Sequence, residues 1–354
     1  MSHSVTLAAV AALALSAAPQ ALAAQQAPQP RPFGVGNPVG MPVTPGAPGA
    51  AAAITTFEPV SPNVKVYGAI YSAESCSYDA TRGVIVVPNR GVPQHVQAND
   101  AWVSFINHDG SVHTARWIGV QSPGDRGNLV PALVLNEPYG SDIVNGLLYV
   151  ADRDGGTAPD VPSVAVIRKF DMRTGAPAGE VRVERVAWIN DIAVAADGTI
   201  YATQTGAFGE NADPATWGLW KVAPDGTVTA LVQGAPLFQP NGVALDAQGN
   251  VVVVNMGNPG VLTFSPAGQL LKTEQAAQAG SDGLVIMPDG TKYVSSVRFG
   301  GVSRMRPGQP AELIARNIPS AASMCYDAGA NQLVIPMNAN NALAFVRLDD
   351  GGAP

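Results

Sequence analysis

Glu74, Asn190, Asn241 and Asp282 stand at one position of a phrase that the chain repeats. Each offers side-chain oxygen, two as carboxylates and two as carboxamides, and no Cys or His shares the position. Carboxylates brought together repel one another unless a cation sits among them. Oxygen-only ligation suits a hard ion, and Ca²⁺ takes roughly six to eight oxygens in irregular geometry. The expectation is one divalent metal held by these four residues, Ca²⁺ first, with Zn²⁺, Mn²⁺ or Mg²⁺ as ions the spacing admits. A competing explanation exists. Asn-Gly and Asp-Gly are common turn dipeptides chosen for positive φ, and this covers Asn241-Gly242 and Asp282-Gly283. It does not cover Glu74, nor Asn190, which precedes Asp191.

The phrase is plainest at 240–255, PNGVALDAQGNVVVVN. A polar pair leads into an apolar strand at 243–245, a turn at 247–250 and a second apolar strand at 251–254, the pattern of a β-hairpin. The second strand begins ten residues after Asn241, and the same interval separates Asn190 from Ile200, Asp282 from Lys292, Glu74 from Val84 and Ala322 from Gln332. A sixth copy, at Gly140, is shorter by two. Further strands and Gly turns follow each hairpin, as at His108-Asp109-Gly110 and Pro224-Asp225-Gly226. Four short strands repeated six times, 40 to 66 residues apart, predict an all-β fold, a six-bladed β-propeller of four-stranded blades. No long stretch of helical spacing competes with it. Ring closure covers the apolar faces of the first and last blades. It also brings the leading position of every blade to one end of the axial channel. Gly140 and Ala322 supply no ligand there, so an ion would sit off-centre, toward blades one and three to five.

Charged residues are only 13% of the 354, and the net charge is −7. Nucleic acid, which needs a basic footprint, is disfavoured. Residues 1–24 are expected to be a signal peptide, with an apolar run at 5–18 and an Ala-rich end. That run is too short to span a bilayer, so the expectation is a periplasmic or secreted monomer with no membrane span after cleavage. Residues 25–56 form a Pro/Gly-rich linker, and the propeller domain is expected over 57–350. Export permits a disulfide. Cys76 and Cys325 fall in the first and last repeats, but their repeat positions differ by one residue. On strands this points them to opposite faces, and the expectation is two buried free thiols.

The phrases Pro240-Asn241-Gly242 and Ser281-Asp282-Gly283, with Glu74-Ser75 and Asn190-Asp191, resemble those of the senescence-marker-protein, gluconolactonase and luciferin-regenerating-enzyme family, over about residues 66 to 348. The likeness also touches NHL-repeat propellers. The resemblance implies a six-bladed propeller with one divalent metal at the channel mouth. It implies that Glu74, Asn241 and Asp282 bind the metal, that Asn190 contacts metal or substrate, and that Asp282 is the general base of lactone hydrolysis. Sugar-lactone members often carry Arg two residues before the first Asn, where this chain has Trp188. An indole offers one N–H and a large apolar face, which favours a less polar ring or ester.

The expected function is therefore an exported metal-dependent hydrolase that opens a small-molecule lactone or ester. The metal is its Lewis acid and Asp282 its catalytic base. The alternative is a non-catalytic NHL-like binding propeller with a structural metal, since propellers host many functions. Trp188, Asp191, Arg298 and His95 are candidate substrate contacts, with Asn89, Arg90, Asp152, Arg153, Asn255, Phe299 and Asn338 on the segments after the second strands. His108 and His113 flank a turn signal and are expected to be surface histidines.

Overall fold

The computed structural model describes residues 69–91, 98–158, 160–207 and 212–348. The proposed signal peptide and linker lie outside them, as does His95. Six antiparallel sheets follow one another along the chain. Blade 1 runs through Ser77–Asp79, Val84–Asn89, Trp102–Ile106 and Val112–Ile118. Blade 4 runs through Pro240–Leu245, Val251–Asn255, Gly260–Phe264 and Leu270–Gln275. Five sheets have four strands, and the sixth has three among the described residues: Cys325–Asp327, Gln332–Met337 and Ala342–Arg347.

The inner strands neighbour one another in chain order, and the last, Cys325–Asp327, meets the first, Ser77–Asp79. The ring is closed. Its core is divided accordingly into six apolar layers among the described residues, one at each blade boundary. This explains the sequence pattern. Second strands have neighbours on both faces, so Val251–Asn255 and Val84–Asn89 are buried throughout and read as unbroken apolar runs. The outermost strand Leu270–Gln275 has mostly exposed residues and reads as polar. Among the described residues no helix is long and apolar enough to cross a membrane.

The blade 6 to blade 1 boundary corrects the cysteine expectation. Cys76 and Cys325 form a disulfide, with Cα atoms 5.5 Å apart and 249 residues between them in sequence. The expectation compared faces within one repeat frame. Stacked blades meet by opposite faces, so a one-residue offset is what lets two side chains confront each other across the boundary. His108 belongs to the same seam. It stands in the turn, with its side chain 38% exposed, as expected of a surface histidine, and its Nδ1 lies 2.8 Å from the buried Asp327 carboxylate of blade 6. His113 is exposed, as expected.

Candidate functional site

Asn241 and Asp282 lie inside their inner strands, on bulges. Pro240 pairs with Asn255 and Val243 with Val253, so one extra residue is accommodated between them. Ser281 and Leu284 repeat this against Ser296 and Val294. A bulge re-aims the side chains it carries. Gly242 and Gly283 complete the device by close approach. Neither has positive φ, which sets aside the turn explanation; a Cβ on Gly242 would strike the Asp282 carbonyl, and one on Gly283 would strike Met324 N and Ser323 Cα. Gly140 likewise has no room for a Cβ beside Asp191.

Hydroxyls on or just after the second strands of blades 3 and 5 tie those strands to the leading segments of blades 4 and 6. Thr205 Oγ1 donates to Pro240 O at 2.7 Å, and Thr203 Oγ1 donates to Asn241 O. Ser295 Oγ donates to Ala322 O at 2.8 Å and accepts from Gly283 N at 2.7 Å. Nothing in the leading phrase points to these residues, because they sit on the strand that follows it.

Glu74, Asn190, Asn241 and Asp282 are all buried. Asn241 Nδ2 donates to Asp282 Oδ2 at 3.2 Å, and Asn190 Nδ2 donates to Thr205 Oγ1 at 3.1 Å. The opposite oxygens, Asn190 Oδ1, Asn241 Oδ1 and Asp282 Oδ1, are buried without a hydrogen-bond partner among the described residues. These are three acceptors on three consecutive blades. A buried polar atom left unsatisfied costs about 1–3 kcal/mol, so three together mark a place for a bound donor or cation. Among the described residues no three His, Cys, Asp or Glu side chains are placed to hold a metal. An ion here would therefore depend on the amide oxygens as well as on carboxylate. The donor set fits a hard cation.

Two residues accompany Glu74. Asn338 Nδ2 donates to Glu74 Oε2 at 2.5 Å, and Arg90 Nη2 lies 3.1 Å from the same oxygen. The Arg90 guanidinium lies over the Tyr139 ring, 4.2 Å from its centroid. Burial pushes the Asp282 carboxyl well above the usual carboxylate range, and the charges of Glu74 and Asp191 push the same way, against Arg90 and the Asn241 amide. Glu74 and Asp282 thus share one electrostatic site.

The remaining candidates divide. Trp188 packs on Tyr139, ring centroids 5.4 Å apart, and so shares that ring with Arg90. Arg298 Nη2 donates to Gln239 Oε1 at 3.2 Å, two residues before Asn241. Asp191 lines the axial channel, a cavity of about 320 Å³. Its oxygens accept from Ile192 N at 3.0 Å and from Val243 N at 3.1 Å, the latter across the blade boundary. Burial, opposed by these amides, pushes its pKa up to about 7. Asp152 is committed to Arg168 and to the amides of Asn136 and Glu137, and Arg153 to Glu137.

No family model matches the chain, and no curated protein matches it. Solved structures do. A gluconolactonase from Xanthomonas campestris is similar at 17% identity with a TM-score of 0.54, over 79% of this chain and 86% of that one. A structural-genomics protein provisionally named a gluconolactonase is similar at 17% identity with a TM-score of 0.51, over 78% of this chain and 90% of that one. At this distance the likeness lies in the fold: the chain is built as the solved gluconolactonase propellers are.

Proposed function

We propose that the protein is an exported, metal-dependent hydrolase that opens a lactone or ester. The observation that carries this reading is the trio of buried, unpartnered oxygens on Asn190, Asn241 and Asp282. With Glu74 they would hold one divalent cation, Ca²⁺ first. When bound, the ion supplies Lewis acidity to the substrate carbonyl and neutralises charge developing on its oxygen. The similarity in fold to gluconolactonases supports the reaction class. The disulfide supports an oxidising compartment.

The protein's own part in the chemistry falls to Asp282. Its Oδ2 is fixed by the Asn241 amide while Oδ1 has no partner among the described residues. With Oδ1 reserved for the cation, Asp282 takes a proton from the attacking water at Oδ2, which keeps a lone pair besides the one the Asn241 amide engages, as the water oxygen bonds to the carbonyl carbon. The ring C–O bond then breaks, and the proton passes to the departing oxygen, giving a hydroxy acid. Glu74, pinned by Arg90 and Asn338, keeps its place while this happens.

The mouth is apolar on the side of blades 4 and 5. Phe238 is 37% exposed and Phe299 60% exposed. The Arg298 to Gln239 hydrogen bond joins the loops that carry them, each being next to one partner. Apolar faces of this kind suit a lactone or ester with a hydrocarbon substituent better than a polyhydroxylated sugar.

Metal analysis of the purified protein, with a lactone and ester panel run with and without chelator, tests the reading. Chelator-sensitive turnover restored by a divalent ion is the expected result. A cation-bearing protein inert on the whole panel would instead be a binding propeller with a structural metal.

A further inference from the structure

Arg90 is a permanent positive charge inside the oxygen cluster. Its side chain is 3% exposed, its Nη2 is 3.1 Å from Glu74 Oε2, and its Nε donates to Pro138 O at 3.3 Å. Its charge is felt by Glu74, Glu137 and Asp282. A guanidinium cannot shed its proton at any ordinary pH. Arg90 and Asn338 both meet Glu74 at Oε2.

Two consequences follow from this arrangement. Burying Glu74 and Asp282 within electrostatic reach of each other without compensation would be strongly unfavourable, and Arg90 offsets part of that cost before any ion arrives. The price is attraction: a fixed positive charge a few ångströms away opposes a divalent ion in a site of low effective dielectric.

We propose that Arg90 sets the cation affinity of the site. It clamps Glu74 at Oε2, and its charge holds divalent binding in a weaker, exchangeable range than the two carboxylates alone would give. The role rests on the cation reading above.

Calorimetric titration of the chelator-treated protein with Ca²⁺ and with Mn²⁺ tests it. Arg90→Gln should bind at least about tenfold more tightly than wild type, the direction set by removing one like charge. Arg90→Lys, which keeps the charge, should stay within about threefold of wild type. Thermal melts supply a second readout should Arg90→Gln be fragile: without ion it should melt below wild type, and added ion should raise its melting temperature more. Unchanged or weaker binding by Arg90→Gln overturns the role of Arg90 while leaving the cation site standing. No binding of either ion to wild type or variant overturns both.

Discussion

Asn241 donates its amide hydrogen to Asp282 across the boundary between blades 4 and 5, at 3.2 Å, and each is left with one oxygen that no described residue satisfies. The amide thereby fixes which Asp282 oxygen is engaged and which is available. Asp282→Asn should preserve the fold and lower turnover by about 10²–10⁴-fold, the range of a lost general base. Asp282→Ala should abolish measurable turnover. Steady-state kinetics on whichever lactone the panel identifies decides this, and full activity in Asp282→Ala would end the mechanism.

The Cys76 to Cys325 bond closes the ring two residues from Glu74. Replacing both cysteines by Ala should cost on the order of 2–5 kcal/mol of stability and weaken divalent binding, because the segment that carries Glu74, just ahead of Ser77–Asp79, is no longer anchored. Denaturant melts and cation titration of the double variant measure the two effects. Stability equal to wild type would show that the apolar layer at this seam closes the ring unaided.

Asp142 lines the axial channel and accepts from Ile143 N at 2.8 Å and from Val194 N of the next blade, also at 2.8 Å. Burial raises its pKa, against the pull of those amides. Tyr149 and Asp191 are its titratable neighbours. A carboxyl whose folded pKa exceeds its unfolded value holds its proton more tightly when folded. Its contribution is therefore greatest below the unfolded pKa and declines as pH rises toward the folded one. Between pH 4 and 8 the chelator-treated wild type should lose more stability than Asp142→Asn does. Parallel slopes in melts across that range would refute the assignment.

Phe238 and Phe299 flank the Arg298 to Gln239 contact. If they bear the substrate's hydrocarbon, kcat/KM should climb along a series of alkyl-substituted lactones, by up to about fourfold per methylene, corresponding to ~0.8 kcal/mol each. Phe238→Ala with Phe299→Ala should flatten that slope while leaving the unsubstituted ring nearly unaffected. A steep slope surviving in the double variant would place the substituent elsewhere.

The ten-residue interval made the blades legible because each inner hairpin repeats the same strand and turn lengths, and the ring follows from repetition. The leading oxygens were legible for the same reason: they are in register. The bulges under Asn241 and Asp282 were not, because an extra residue leaves no mark in an apolar pattern already interrupted by Asn-Gly. Arg90 and Asn338 appeared among the segments after the second strands, yet their grip on Glu74 joins blades 1 and 6, and spacing along a chain says nothing about pairs 264 residues apart. The disulfide escaped for a geometric reason, since facing partners in a ring are offset, not aligned.

Gly242 and Gly283 occupy places where even a methyl group would collide with the next blade. The residues that furnish the oxygens and those that let the sheets interlock are consecutive in the chain. Anyone transplanting this constellation into another propeller must therefore carry over the bare backbone as well as the four polar side chains. A graft that copied only the latter would wedge the scaffold apart at the point it was meant to equip.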